Sequence, residues 1–193
     1  MPSKEHHRKR DFKKSPESGG GKGRGNQIFF IQKQDAEHLH YDLHLRLGDV
    51  LVSWVVPRGL STEVSEKRLA IRLDDRPLEF ADFGGIIPGD VARAITFEVW
   101  DHGDYEVFSY NKASHPSLRE GLKKGAFKVK LRGGKFRGRY AFVCIDPEGD
   151  QRKWLIFRLQ DSDPDARRNP ESTESNSVIT GRSLKEIKKD SSQ

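Results

Sequence analysis

The chain has 193 residues, of which 34% are hydrophobic and 33% charged, with a formal net charge of +6. That length suits one globular core with tails, the low apolar share places part of the chain outside it, and the positive balance favours a polyanionic partner. A single cysteine, Cys144, excludes an internal disulfide framework and a Cys-rich zinc site, and the lack of a long apolar run leaves no candidate membrane span.

Residues 1–25 form a basic leader, with eight Lys/Arg against three Asp/Glu up to residue 24, ending in the glycine-rich Ser18–Gly25. Such a run has almost nothing to bury and is expected to be flexible. Residues 26–160 then alternate apolar and polar side chains with a period of two, the signature of strands. The expected strands are Gln27–Lys33, His38–Leu47, Val50–Pro57, Arg68–Leu73, Ala94–Trp100, Tyr105–Phe108, Ala126–Leu131, Arg139–Ile145 and Lys153–Leu159. Gly48-Asp49, Asp101–Asp104 and Arg132–Gly134 read as turns between neighbours, and Ser117–Lys124 as the one short helix. The predicted fold is all-β and mainly antiparallel, a compact barrel of eight to nine strands with flexible termini. Residues 161–193 carry no aromatic residue and are expected to be a disordered tail, with one or two helical turns at Ser183–Lys189 capped by Ser183 and Glu186.

Strand geometry divides His38–Leu47 into two faces. Leu39, Tyr41, Leu43, Leu45 and Leu47 share one; His38, His40, Asp42, His44 and Arg46 share the other. Side chains two apart on a strand can converge on one ion, and imidazole with carboxylate suits Mn²⁺ or Zn²⁺. A solvated, histidine-rich strand face is the plainer reading. Residues Arg10–Glu17 offer cations that can clamp phosphates, or are merely a solvated tail. Leu122–Tyr140 holds eight Lys/Arg and no acid. There Lys128, Lys130 and Arg132 alternate with apolar residues, and Lys135, Arg137 and Arg139 follow, a cationic ladder suited to a nucleic-acid backbone. Lysines that protect an exposed sheet edge would give the same pattern. Trp54, Trp100 and Trp154 lie in apolar runs and are expected in the core.

Ile31–Leu47, with its Glu-His-Leu-His-Tyr-Asp-Leu-His-Leu-Arg core, resembles the signature strand of the 3′-phosphoesterase domain of bacterial ligase D. The resemblance continues through Arg10–Glu17, Ser53–Gly59, Arg68–Ile71, Ala81–Pro88, Val99–Gly103, Trp154–Phe157 and Ser177–Ile187. It implies a β-barrel with a metal and phosphate site on its surface, Mn²⁺ as the usual cofactor, and removal of a terminal ribonucleoside and a 3′-phosphate from DNA 3′ ends. By position, His40 and Asp42 match two of three protein metal ligands; Arg10, Asp11, Glu17 and Gln32 match further active-site positions, and Arg58 stands where a lysine is usual. The resemblance also implies a ligase or polymerase acting in trans and a cytoplasmic, nucleoid-associated location.

The departures fall on the chemistry. Gln34 replaces the first metal-binding histidine, His44 replaces a phosphate-clamping arginine, Arg76 replaces an active-site histidine, and Phe80 replaces a tyrosine. His38 or His44 are candidates, with Gln34, to complete the metal set. Protonated His44 is also a candidate for the lost cation, whereas Arg76 can bind phosphate but cannot shuttle protons near neutral pH. Two functions follow as expectations: a 3′-end-binding module of DNA repair with a degenerate catalytic site, or an active Mn²⁺-dependent 3′-phosphoesterase with an altered ligand set. A scaffold that binds protein partners through its tails is the third.

Overall fold

A computed structural model describes residues 27–35, 38–78, 85–87, 95–111, 116–160 and 170–190. Its strands are β1 (Ile28–Asp35), β2 (Leu39–Leu47), β3 (Val50–Val56), β4 (Lys67–Arg72), β5 (Arg76–Pro77), β6 (Gly85–Ile87), β7 (Ile95–Val107), β8 (Ala126–Gly133), β9 (Arg137–Cys144) and β10 (Lys153–Arg158). The neighbour order β1-β2-β3-β4-β10-β9-β8-β7 closes on itself through antiparallel β1–β7 pairing. The eight strands form the expected antiparallel barrel. β5 adds a two-residue pairing to β3, and β6 pairs with the first residues of β7.

Alternation drives the closure. Phe29 and Ile31 of β1, Tyr41, Leu43 and Leu45 of β2, and Val52, Trp54 and Val56 of β3 point into one core with Trp100, Phe142 and Trp154. All three tryptophans are buried, as their surroundings in the sequence predict. The Gly48-Asp49 turn falls where expected, Gly48 taking φ 64, a left-handed conformation that costs glycine little. The short helix α1 (Leu118–Lys124) starts at Ser117, whose side chain accepts from the Glu120 N–H, and stops at Gly125 with φ 69.

Two expectations are corrected. The Asp101–Asp104 turn does not exist; β7 runs unbroken for 13 residues through it, with a register shift opposite Ile31/Gln32. Asp101 is fully buried and accepts from the backbone N–H groups of Gly134, Lys135 and Phe136 at 2.9, 3.0 and 2.9 Å. The aspartate that resembles a turn former thus acts as a cap on a different turn, the one joining β8 to β9. Gly103 reads the same way: a Cβ there would collide with the Arg132 carbonyl across the ladder.

The second correction concerns the tail. Residues 170–190 are ordered against the barrel, with helices α2 (Pro170–Thr173) and α3 (Leu184–Asp190). The Trp100 indole donates to the Glu174 carbonyl at 2.7 Å, the Ser177 hydroxyl donates to the Val99 carbonyl at 2.6 Å, and Leu184 is buried. The two hydrogen bonds each satisfy a buried polar group of β7, and Leu184 adds apolar contact. The capping box holds, the Ser183 N–H donating to Glu186 Oε2 at 2.7 Å. Residues 1–25, and with them the leader, lie outside the described residues. Among the described residues no helix is long and apolar enough to cross a membrane.

Candidate functional site

The outward faces of β1 and β2 bring the predicted residues into rows. Antiparallel pairing sets Gln34 opposite His40, Gln32 opposite Asp42 and Phe30 opposite His44, while β3 sets Ser53 beside His44. This face is not solvated as a bare strand would be. Asp42 and Gln32 are each 2% exposed and His44 is 0% exposed. Phe30, Leu51 and Val99 form a second, smaller apolar cluster on which Leu78 packs.

Around Asp42 the geometry is specific. Gln34 Nε2 donates to Asp42 Oδ2 at 2.6 Å, and Arg76 Nη2 lies 3.7 Å from the same oxygen. His40 Nε2 lies 4.0 Å from the other oxygen, Oδ1, which is buried without a hydrogen-bond partner. His40 Nδ1 is 2.9 Å from the His38 carbonyl. A carbonyl only accepts, so Nδ1 carries a proton and donates to it, which turns Nε2 towards Oδ1. An imidazole held by a backbone carbonyl in this way is oriented as a metal ligand requires. Burial pushes the Asp42 carboxyl up from the usual range, while Arg76, His40 and Gln34 pull it back.

His44 is corrected as a replacement cation. It stacks on Phe30 with centroids 4.4 Å apart, and its Nδ1 lies 2.7 Å from Ser53 Oγ. The Ser53 hydroxyl donates to the Leu51 carbonyl at 3.2 Å, leaving Oγ to accept from His44. Burial, with Arg76 nearby, pushes His44 down to about 3, so it is neutral near physiological pH. Ser53 and Phe30 therefore position His44, and sequence reasoning missed both. The signal was available, because a two-residue turn at Gly48-Asp49 fixes which residue faces His44.

The remaining predicted residues divide. His38 is exposed and contributes its carbonyl to His40. Arg58 lies in the exposed turn after β3, where its charge acts on Glu66 and Glu171. Arg10, Asp11, Glu17 and Phe80 lie outside the described residues. Among the described residues, no three His, Cys, Asp or Glu side chains come together in a metal-holding group. Lys128, Lys130, Arg132, Arg137 and Arg139 share the outward face of β8 and β9, in alternation with buried neighbours. Lys135 does not join them. It is 6% exposed, pairs with Glu174 at 3.3 Å and sits over the Trp100 ring, which removes it from any surface contact with a nucleic acid.

The profile of the family described as the DNA Ligase D 3′-phosphoesterase domain matches residues 32–144. A multifunctional non-homologous end joining protein LigD from Pseudomonas aeruginosa is 37% identical over 166 residues, 84% of this chain and 19% of that protein. The multifunctional non-homologous end joining DNA repair protein LigD of Mycobacterium tuberculosis is 38% identical over 157 residues, 79% of this chain and 19% of that protein. LigD of Mycolicibacterium smegmatis is 35% identical over 155 residues, 79% of this chain and 20% of that protein. The chain thus spans about a fifth of the length of these relatives.

Proposed function

Because the chain belongs to the DNA ligase D 3′-phosphoesterase family, we propose that it binds DNA 3′ ends during end-joining repair through the Asp42 cluster, as a module whose catalytic site is degenerate. One observation carries this reading. Asp42 Oδ2 is taken by the Gln34 N–H, with the Arg76 guanidinium 3.7 Å away, so a fixed cation stands beside the carboxylate. Gln34 presents its N–H to the carboxylate, not its carbonyl, and so adds no donor at that oxygen. Arg76 is 30% exposed, so a terminal phosphate can reach its guanidinium in a charge-assisted contact that needs no ion. Partners in this reading are DNA 3′ ends bearing a phosphate or a terminal ribonucleotide, with a ligase or polymerase acting in trans on the same end.

A second reading is favoured by Asp42 Oδ1, buried without a hydrogen-bond partner, facing His40 Nε2 at 4.0 Å. These two atoms fit a divalent cation, Mn²⁺ by donor type, as an incomplete set. A cation bound there would polarise a phosphoryl oxygen. The chain would then be an active 3′-phosphoesterase with altered ligands.

A steady-state assay separates the two. A DNA strand ending in a ribonucleotide or 3′-phosphate, incubated with Mn²⁺ and limiting protein, is expected to show less than one product per protein. Sustained turnover that His40→Ala abolishes would establish the second reading and end the first.

A further inference from the structure

We propose that the outward face of the β8–β9 hairpin is a docking surface for single-stranded nucleic acid, distinct from the end site on β1 and β2. Four observations meet there. First, neither strand is an edge: β8 lies between β7 and β9, and β9 between β8 and β10, in a closed barrel. Lysines here are therefore not needed to block edge-to-edge pairing. Second, the register sets like charges directly opposite one another, Lys130 against Arg139 and Arg132 against Arg137. Such pairs destabilise a sheet. On the β7 side, Glu106 faces Lys130 and Asp104 faces Arg132, and Glu106 pairs with Arg132 at 2.5 Å. Glu106 and Asp104 thus face Lys130 and Arg132 on a face that also carries Lys128, Arg137 and Arg139, and this density of positive charge suits a chain of phosphates.

Third, aromatic rings stand beside the cations. Just beyond β7, Phe108 and Tyr110 meet edge to face with centroids 5.6 Å apart. Lys128 Nζ lies 4.6 Å from the Tyr110 centroid, and the Arg139 guanidinium lies 5.3 Å from Phe108 and 5.9 Å from Tyr110. Tyr110 is nevertheless 58% exposed. A large exposed ring flanked by cations is the arrangement on which unpaired bases stack while their phosphates are neutralised alongside. A duplex hides its base faces and gives such a ring nothing to stack on. Fourth, an open cleft of about 290 Å³ is lined by Phe108 and Lys128, by Glu120 and Lys124 of α1, and by Phe127 and Phe142. It gives a base next to the platform an apolar recess.

This surface lies away from Asp42 around the barrel, since β1 and β7 intervene between β2 and β8. It requires neither a free 3′ end nor a metal, and that makes it testable apart from the end site. The probe is a labelled circular oligothymidylate, which has no ends, followed by fluorescence anisotropy in EDTA at low salt. Binding is expected, with affinity falling as salt rises. Tyr110→Ala is expected to weaken binding roughly fivefold or more, the scale of one lost stacking contact. The double variant Lys130→Gln/Arg139→Gln is expected to weaken it at least about tenfold while leaving the unfolding midpoint unchanged or higher, because it relieves a like-charge pair. A merely structural role for these residues would move the midpoint and not the affinity. The proposal is overturned if the circle does not bind, or if both variants bind like the parent. It is also overturned if a closed duplex dumbbell or polyglutamate displaces the circle as well as an unlabelled circle does.

Discussion

Replacing Asp101 by alanine is expected to lower the unfolding free energy by about 3 kcal/mol, because three backbone N–H groups, two of them on buried residues, lose their acceptor together. Those donors belong to Gly134, Lys135 and Phe136, all within 3.0 Å of the carboxylate. Gly103, two residues on, faces Gly133 across the ladder and offers no side chain in its place. A typical domain has only about 5–15 kcal/mol in total, so the variant would sit close to its unfolding threshold. Asp101→Asn keeps one acceptor oxygen and should fall between the two. Asp104→Ala, three residues along and exposed, should stay within roughly 0.5 kcal/mol of the parent. Urea unfolding followed by tryptophan fluorescence reads all three, as Trp54, Trp100 and Trp154 are buried. An Asp101→Ala midpoint equal to that of Asp104→Ala would show that the β8–β9 turn holds without its cap.

Gln34→His is expected to tighten Mn²⁺ binding by at least the roughly 10–100-fold that orienting partners alone contribute to metal sites. The substitution frees Asp42 Oδ2 from the amide N–H and adds an imidazole opposite His40 on the neighbouring strand. Three donors would then face one point, where the parent offers His40 Nε2 and Asp42 Oδ1. Mn²⁺ titration by calorimetry or electron paramagnetic resonance gives the comparison. If affinity does not change, Gln34 is not what limits the site, and the Arg76 charge beside Asp42 becomes the explanation to pursue through Arg76→Ala.

Much of this site is legible in the sequence, for reasons that are local. A two-residue turn at Gly48-Asp49 fixes the β2–β3 register, so His44 must face Ser53 and Asp42 must face Val55. Alternation then assigns each side chain to a face, which is why Tyr41, Leu43 and Leu45 fall in the core and His40 and Asp42 outside it. What alternation cannot tell is whether an outward face is wet. Leu78 and the segment around Arg76 fold over β1–β3, and that long-range packing makes His44 neutral where its composition suggests a switchable cation. Lys135 fails for the same reason: it lies in a basic run, but the tail supplies Glu174 and β7 supplies Trp100, and the ammonium turns inward. Asp101 has the neighbours of a turn residue, His102 and Gly103, yet the strand continues because its carboxylate is needed by a loop 33 to 35 residues away. Residues 170–190 lack apolar bulk, and what fastens them to the barrel is hydrogen bonds to Trp100 and Val99 with one buried side chain, Leu184, which composition does not register.

The measurement that bears most directly on end recognition compares two oligonucleotides that differ only in carrying a 3′-phosphate or a 3′-hydroxyl, titrated against the protein in EDTA. The Arg76–Asp42 arrangement predicts tighter binding of the phosphorylated end by about tenfold or more, the scale of a hydrogen bond to a charged group, and loss of that preference in Arg76→Ala. Equal affinity for the two ends, or a preference that survives without the Arg76 guanidinium, would contradict it.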